Sequence, residues 1–135
     1  MPDEKTVFIS YANVDTTLAQ HLASALARKN FAVTTTSVPQ QGTDFISSIE
    51  KALAASANIV LLVSNKYLDS KWSNFERAIA LKTSQQTNSR LIPVVIDKIS
   101  IERLPLQWDK LQVVQAIGGA DDVVQKVTER LADSQ

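Results

Sequence analysis

A short run in which every residue is apolar, residues 59–63, constrains the fold of this chain more than any other feature. A strand with no alternation of polar and apolar residues is buried on both faces. Burial on both faces requires a parallel sheet that is covered by helices on its two sides. The run therefore predicts a central strand of an α/β protein.

The remainder of the chain alternates between strand and helix patterns, as a covered parallel sheet requires. Other strands are predicted at residues 7–10, 31–36, 91–96 and 113–115, and helices at 16–29, after Asp44, at 72–83 and around 123–131. Five strands in 135 residues predict one domain over residues 1–135 with a flavodoxin-like three-layer α/β sandwich and a five-stranded parallel sheet of order 2-1-3-4-5. Pro93 is tolerated best if its strand lies towards an edge.

The composition excludes several classes of function. Lysine plus arginine equals aspartate plus glutamate, 14 of each, so no basic field favours a nucleic-acid partner. The absence of cysteine excludes disulfides, thiolate zinc sites and a cysteine nucleophile. The only histidine, His21, lies in a helical pattern and is predicted to be a surface or boundary residue, so we expect no metal site.

The amino-terminal residues indicate where the protein is located. Residues 1–5 are polar and no apolar stretch follows them, so no signal peptide is expected. The longest apolar run is far shorter than the roughly 20 residues that cross a bilayer. We therefore predict a cytoplasmic protein that does not contact membrane.

In a sheet of this order, ligands bind where the winding reverses, at the carboxyl ends of strands 1 and 3. Those ends are Ser10-Tyr11 and Ser64-Asn65 here. Trp72 and Glu76 follow the third strand and, four residues apart, share one face of the predicted helix. Topology and residue chemistry thus predict a site at the same place.

Three familiar uses of this fold do not fit the sequence. A response regulator needs an acidic pair after strand 1 and an aspartate at the end of strand 3, where this chain has Ser10-Tyr11 and Ser64-Asn65. Dinucleotide-binding and P-loop folds need a glycine-rich first turn, and this turn has no glycine. The same turn, residues 11–15, is a poor phosphate cradle for a flavin.

Three segments in order resemble a Toll/interleukin-1 receptor (TIR) domain. Residues 7–11, followed by Asp15, resemble the first box of that family, and the loop from Pro39 to Gly42 resembles its BB loop. Threonines stand where an acidic residue usually ends strand 2. The third segment is residues 59–64 followed by Tyr67, Ser70, Trp72 and Glu76, which resembles the third strand and active-site helix of the bacterial and plant branch that has enzymatic activity.

The resemblance implies that the chain cleaves the nicotinamide–ribose bond of NAD, which is a substrate here, with no cofactor. It implies a catalytic role for Glu76, whose carboxylate stabilises positive charge on the ribose. It also implies that Trp72 stacks on the substrate and that the substrate contacts include Ser10, Tyr11, Asp44 and Ser70. Expected partners are other TIR domains, contacted through the loop that contains Pro39 and Gly42, and a fused or separate sensor module in a bacterial defence or virulence setting.

Simpler interpretations of the same residues stay open. Ser73 and Glu76 fit a capping box, in which Glu76 only satisfies a backbone amide, unless Ser70 is the cap. Trp72 fits a packing residue, Tyr11 fits a wall residue whose hydroxyl reaches water, and Asp44 fits a plain helix N-cap. The family contains pure signalling adaptors as well as enzymes, so an adaptor that acts through TIR–TIR contacts is the alternative function. A sensor that binds a nucleotide without cleaving it is a weaker third possibility.

Overall fold

The computed structural model of the protein describes residues 5–38, 56–65, 90–98 and 114–132. These residues form a parallel sheet with a helix near each end of the chain. In chain order the elements are β1 (Thr6–Ala12), a 3-10 turn (Asn13–Asp15), α1 (Thr16–Arg28), β2 (Ala32–Val38), β3 (Asn58–Val63), β4 (Arg90–Val95), β5 (Val114–Gln115) and α2 (Ala120–Ala132).

The sheet has the order β2-β1-β3-β4-β5, and each neighbouring pair of strands is parallel. This confirms the flavodoxin-like order predicted from the sequence. β3 lies at the centre, and all six of its residues are buried. The apolar run at residues 59–63 therefore predicted the central strand correctly.

A hydrophobic core lies between one face of the sheet and the helices α1 and α2. Alternate residues of the central strands point to this face, among them Ile9 and Leu62, and they pack with Leu22 of α1 and Val127 of α2. Both helices present residues three or four apart to this core, as an amphipathic helix does. His21 lies on the exposed side of α1, as predicted.

The strand β4 contains Pro93, and the sheet accommodates it on one side. The backbone N–H groups of Arg90 and Ile96 donate towards the β3 side, to the carbonyls of Ala57 and Val63. Because successive residues alternate sides, the position of Pro93 faces the β5 side. There β5 begins only opposite Val94, so among the described residues no ladder partner needs the amide that Pro93 lacks.

Two predicted boundaries were wrong at the β1–β2 pair. We expected β1 to end at Ser10 and β2 to end at Thr36, whereas β1 continues to Ala12 and β2 to Val38. The register pairs Tyr11 with Ser37 and Ala12 with Val38. Pairing with a neighbouring strand thus outweighs the local turn preference of a serine followed by Val38 and proline.

No helix in the described ranges is long and apolar enough to cross a membrane. The predicted helices after Asp44 and at 72–83 lie outside the described residues.

Candidate functional site

The carboxyl ends of β1 and β3 lie side by side and form the switch point of the sheet. β1 pairs with β2 on one side and with β3 on the other, so the winding reverses between β1 and β3. In the register, Ser10 is opposite Leu61 and Tyr11 is opposite Leu62. This arrangement is the one in which open α/β sheets bind ligands beyond the strand ends.

The two predicted site residues on β1 are both buried. Ser10 is 2% exposed and Tyr11 is 7% exposed. Tyr11 belongs to the core cluster on the helix-covered face, whereas Ser10, its neighbour along the strand, points to the opposite face. The two side chains therefore border different layers of the domain at this end of the strand.

The other predicted site residues lie outside the described residues. This holds for the proposed catalytic residue Glu76 and for the rest of the predicted set: Asp44, Ser70, Trp72 and the loop residues Pro39 and Gly42. Their roles stay predictions.

A network of polar side chains surrounds the carboxyl end of β3. Asn65, two residues beyond the strand, donates its backbone N–H to Oδ2 of Asp97 at 2.8 Å. Its side-chain amide lies 3.5 Å from the same oxygen and 3.4 Å from the carbonyl oxygen of Lys98. The exit of β3 is thus joined to the segment that follows β4.

The preceding residue, Ser64, is joined to the other neighbouring strand. Its side chain makes a hydrogen bond with the carboxylate of Asp15, in the 3-10 turn after β1. Asp15 occupies the N-cap position of α1, yet its side chain makes no capping hydrogen bond. Its Oδ2 is buried and accepts no hydrogen bond from the residues that the structure describes. The side chain of Asp15 therefore binds Ser64, the first residue after β3, instead of capping α1.

The pKa of Asp15 is raised above its ordinary value of 3.8. Burial is the largest cause, since it disfavours the charged form. The hydrogen bond with Ser64 opposes the rise, and the negative charge of Asp97 adds to it. Two carboxylates thus lie within electrostatic range of each other at the carboxyl edge of the sheet.

The sequence interpretation did not identify Asp15 and Asp97 as site residues. Asp15 was noted only as part of the first box, and Asp97 was not singled out. A usable signal was present, because each is an acid placed two or three residues after a strand whose carboxyl end meets the end of β3. In the part of the chain that the structure describes, no group of three or more potential ligands could hold a metal ion.

The charge of Asp15 leads to a prediction about stability. We expect Asp15→Asn to raise the melting temperature at pH 7, because the amide has no charge to desolvate and its oxygen can still accept from Ser64. A raised carboxyl pKa means that the folded state binds the proton more tightly. The wild-type protein therefore gains stability from this group as the pH falls through its folded-state pKa towards 3.8.

The measurement is thermal unfolding of both proteins at several pH values from 7 down to about 4. The advantage of Asp15→Asn should shrink as the pH falls, because the wild-type carboxyl becomes neutral in that window. Glu129→Gln, at an exposed acid on α2, is the matched control. An advantage that is absent at pH 7, or that is constant across the series, would contradict the assigned cause.

A family model identifies the class of protein that this fold belongs to. The TIR domain model matches residues 7–132, which is nearly the whole chain. The chain therefore belongs to the TIR domain family. That family includes signalling proteins and NAD-cleaving enzymes, and its members associate with one another, as in the heterodimer described next.

Individual relatives agree with this assignment. The chain is 27% identical over 129 residues to the stimulator of interferon genes protein of Magallana gigas, a match that covers 90% of this chain and 31% of that protein. It thus spans about a third of that relative's length. Among solved structures, the RPS4 and RRS1 TIR domain heterodimer matches with a TM-score of 0.64 and 19% identity, over 94% of both chains.

The fold alone is shared more widely. A type II dehydroquinase from Butyrivibrio crossotus matches with a TM-score of 0.65 and 13% identity, over 94% of this chain and 97% of that one. At such low identity the likeness shows the fold only.

Proposed function

We propose that this TIR domain is an NAD glycohydrolase that releases nicotinamide and ADP-ribose, or a cyclic isomer of ADP-ribose. The proposal is carried by one observation: Glu76 follows Trp72 by one helical turn's spacing, and both come shortly after β3, whose carboxyl end borders the switch point. Family membership supports the proposal because the family contains enzymes of this kind.

The chemistry needs few groups from the protein. The bond between the ribose C1′ and the nicotinamide nitrogen breaks, and its electron pair neutralises the positively charged ring. Water then adds to C1′ and loses a proton, so that NAD⁺ and water give nicotinamide, ADP-ribose and H⁺. Addition of a nucleophile from the same molecule in place of water gives the cyclic isomer.

The positive charge that develops on the ribose explains the choice of Glu76. A carboxylate beside the sugar binds its hydroxyl groups and stabilises that charge, and no strong acid is needed because the leaving group departs neutral. The indole of Trp72 stacks on the base or the ribose and excludes water. Ser10 and Tyr11 at the carboxyl end of β1, together with Asp44 and Ser70, are the further proposed substrate contacts.

The proposal includes self-association. By family resemblance, the active site is completed at a contact between protomers, in which the loop containing Pro39 and Gly42 takes part. Residues 1–135 then act as a TIR domain that a fused or separate sensor module brings together, in a cytoplasmic bacterial defence or virulence setting. Activity should therefore rise more steeply than protein concentration.

A non-catalytic adaptor is the second candidate. It is favoured by one departure from the family pattern, the threonines Thr34 to Thr36 of β2, which stand where an acidic residue is usual. Such a protein would bind other TIR domains through the Pro39 to Gly42 loop and would not turn over NAD.

The deciding experiment is product analysis of NAD incubated with the purified protein at high concentration. We expect nicotinamide and ADP-ribose or its cyclic isomer to appear in equal amounts as NAD is consumed. A protein that self-associates at the same concentration and leaves NAD intact would contradict the enzyme and support the adaptor. Bound but intact NAD would indicate a sensor.

A further inference from the structure

We propose that Asp97 and Asp15 are positioning residues for NAD cleavage, because together they hold the two residues through which the chain leaves β3. The inference rests on the proposed function. Neither acid is proposed to touch the substrate. Each acts on the segment that continues from Asn65 towards Trp72 and Glu76 in the sequence.

The two residues after β3 are bound by acids that follow its two neighbouring strands, β1 and β4. Asp97, beyond the end of β4, accepts the backbone N–H of Asn65 at 2.8 Å. Asp15, beyond the end of β1, accepts from the side chain of Ser64. Consecutive residues are thus fixed from opposite sides, which restricts the direction in which the chain leaves the sheet.

The bond of Asp97 is made to backbone and is therefore informative about chain direction. A hydrogen bond to the Asn65 N–H restrains the peptide plane between Ser64 and Asn65, whereas the bond between Asp15 and Ser64 restrains a side chain. The two residues are separated by 32 positions, so the bond joins segments that are distant in sequence. An ionised acceptor makes this bond stronger than a neutral one would be.

The arrangement differs from an ordinary turn because it buries a carboxylate, which lowers the stability of the fold. Asp15 keeps one buried oxygen to which no described residue donates, and Asp97 places a second negative charge near it. A turn selected for stability alone would favour neutral acceptors at these positions. Retention of costly polar groups is typical of sites where geometry serves function.

Three substitutions of Asp97 separate position from charge. Asp97→Asn keeps an acceptor oxygen at the same place without the charge. Asp97→Glu keeps the charge and moves the acceptor by one methylene, and Asp97→Ala removes the acceptor. If the position of the acceptor oxygen matters, NAD turnover should be highest in the wild type and somewhat lower in Asp97→Asn. It should be lowest, and similar, in Asp97→Glu and Asp97→Ala.

The expected sizes follow from what misplacement of a catalytic group costs. We expect kcat to fall by about 10- to 100-fold in Asp97→Ala and Asp97→Glu, with less change in KM, and by less than about threefold in Asp97→Asn. The amide proton of Asn65 should lose its downfield NMR shift in the alanine variant and retain most of it in the asparagine variant. Asp121→Ala, at an exposed acid on α2, is the matched control.

The outcomes decide the inference and separate it from the proposed function. Full kcat in Asp97→Glu with a loss in Asp97→Asn would overturn it, because charge and not position would then matter. Full activity in Asp97→Ala would also overturn the inference. The proposed function would still stand in that case if the wild type cleaves NAD and Glu76→Ala does not. Absence of turnover by the wild type would refute both. The comparison of the Asn and Glu variants stands even if the alanine variant does not fold.

Discussion

Replacement of Glu76 by glutamine is expected to lower nicotinamide release about 100- to 1,000-fold, with the protein still folded and still able to self-associate. The amide has the size of the carboxylate but carries no negative charge, so it cannot stabilise the cationic ribose. The measurement is nicotinamide release at high concentration of wild type and variant.

Two controls give this result its meaning. Equal melting temperatures would show that the loss is chemical and not a loss of fold. Equal self-association, measured by light scattering at the assay concentration, would exclude an assembly defect. Turnover that survives in Glu76→Gln and in Glu76→Ala would remove this residue from the mechanism.

Truncation of Leu62 to alanine is expected to destabilise the domain by about 2–5 kcal/mol. Leu62 is fully buried in the central strand β3 and belongs to the core cluster between the sheet and the helices. Its loss removes apolar contacts and leaves a cavity that the surrounding strands cannot fill. A domain of this size should melt roughly 10 °C lower, which differential scanning calorimetry would measure.

Val14 offers the matched comparison, since its aliphatic side chain is 69% exposed in the turn after β1. Val14→Ala should change the free energy of unfolding by less than about 0.5 kcal/mol. A small effect in Leu62→Ala, similar to that of Val14→Ala, would show that β3 is not at the centre of the packed core.

The central position of β3 was predictable from sequence because a strand that is buried on both faces lacks the usual alternation of polar and apolar residues. The apolar run at residues 59–63 needs other residues packed against both faces of the strand. The apolar sides of α1 and α2, which contain Leu22 and Val127, pack against one of these faces. The ends of the strands were less predictable. The extension of β2 through Ser37 and Val38 depends on the partner strand β1, which no local pattern encodes.

The site was predictable only in outline. The strand order placed the crevice, but the bond from Asn65 to Asp97 joins residues that are 32 positions apart and depends on how two strand ends meet. Local rules instead favoured the role of helix cap for an acid such as Asp15. The competing hydrogen bond with Ser64 became visible only in three dimensions.

Pro93 has a consequence for how far β4 and β5 can pair. On the side of β4 that faces away from β3, this residue presents a ring carbon where a ladder needs an amide hydrogen. On that side β4 is paired with β5 from Val94 onward, so the two strands cannot gain a further ladder hydrogen bond from the amide position of residue 93. The missing amide thus sets an amino-terminal limit to β4 as a donor towards β5.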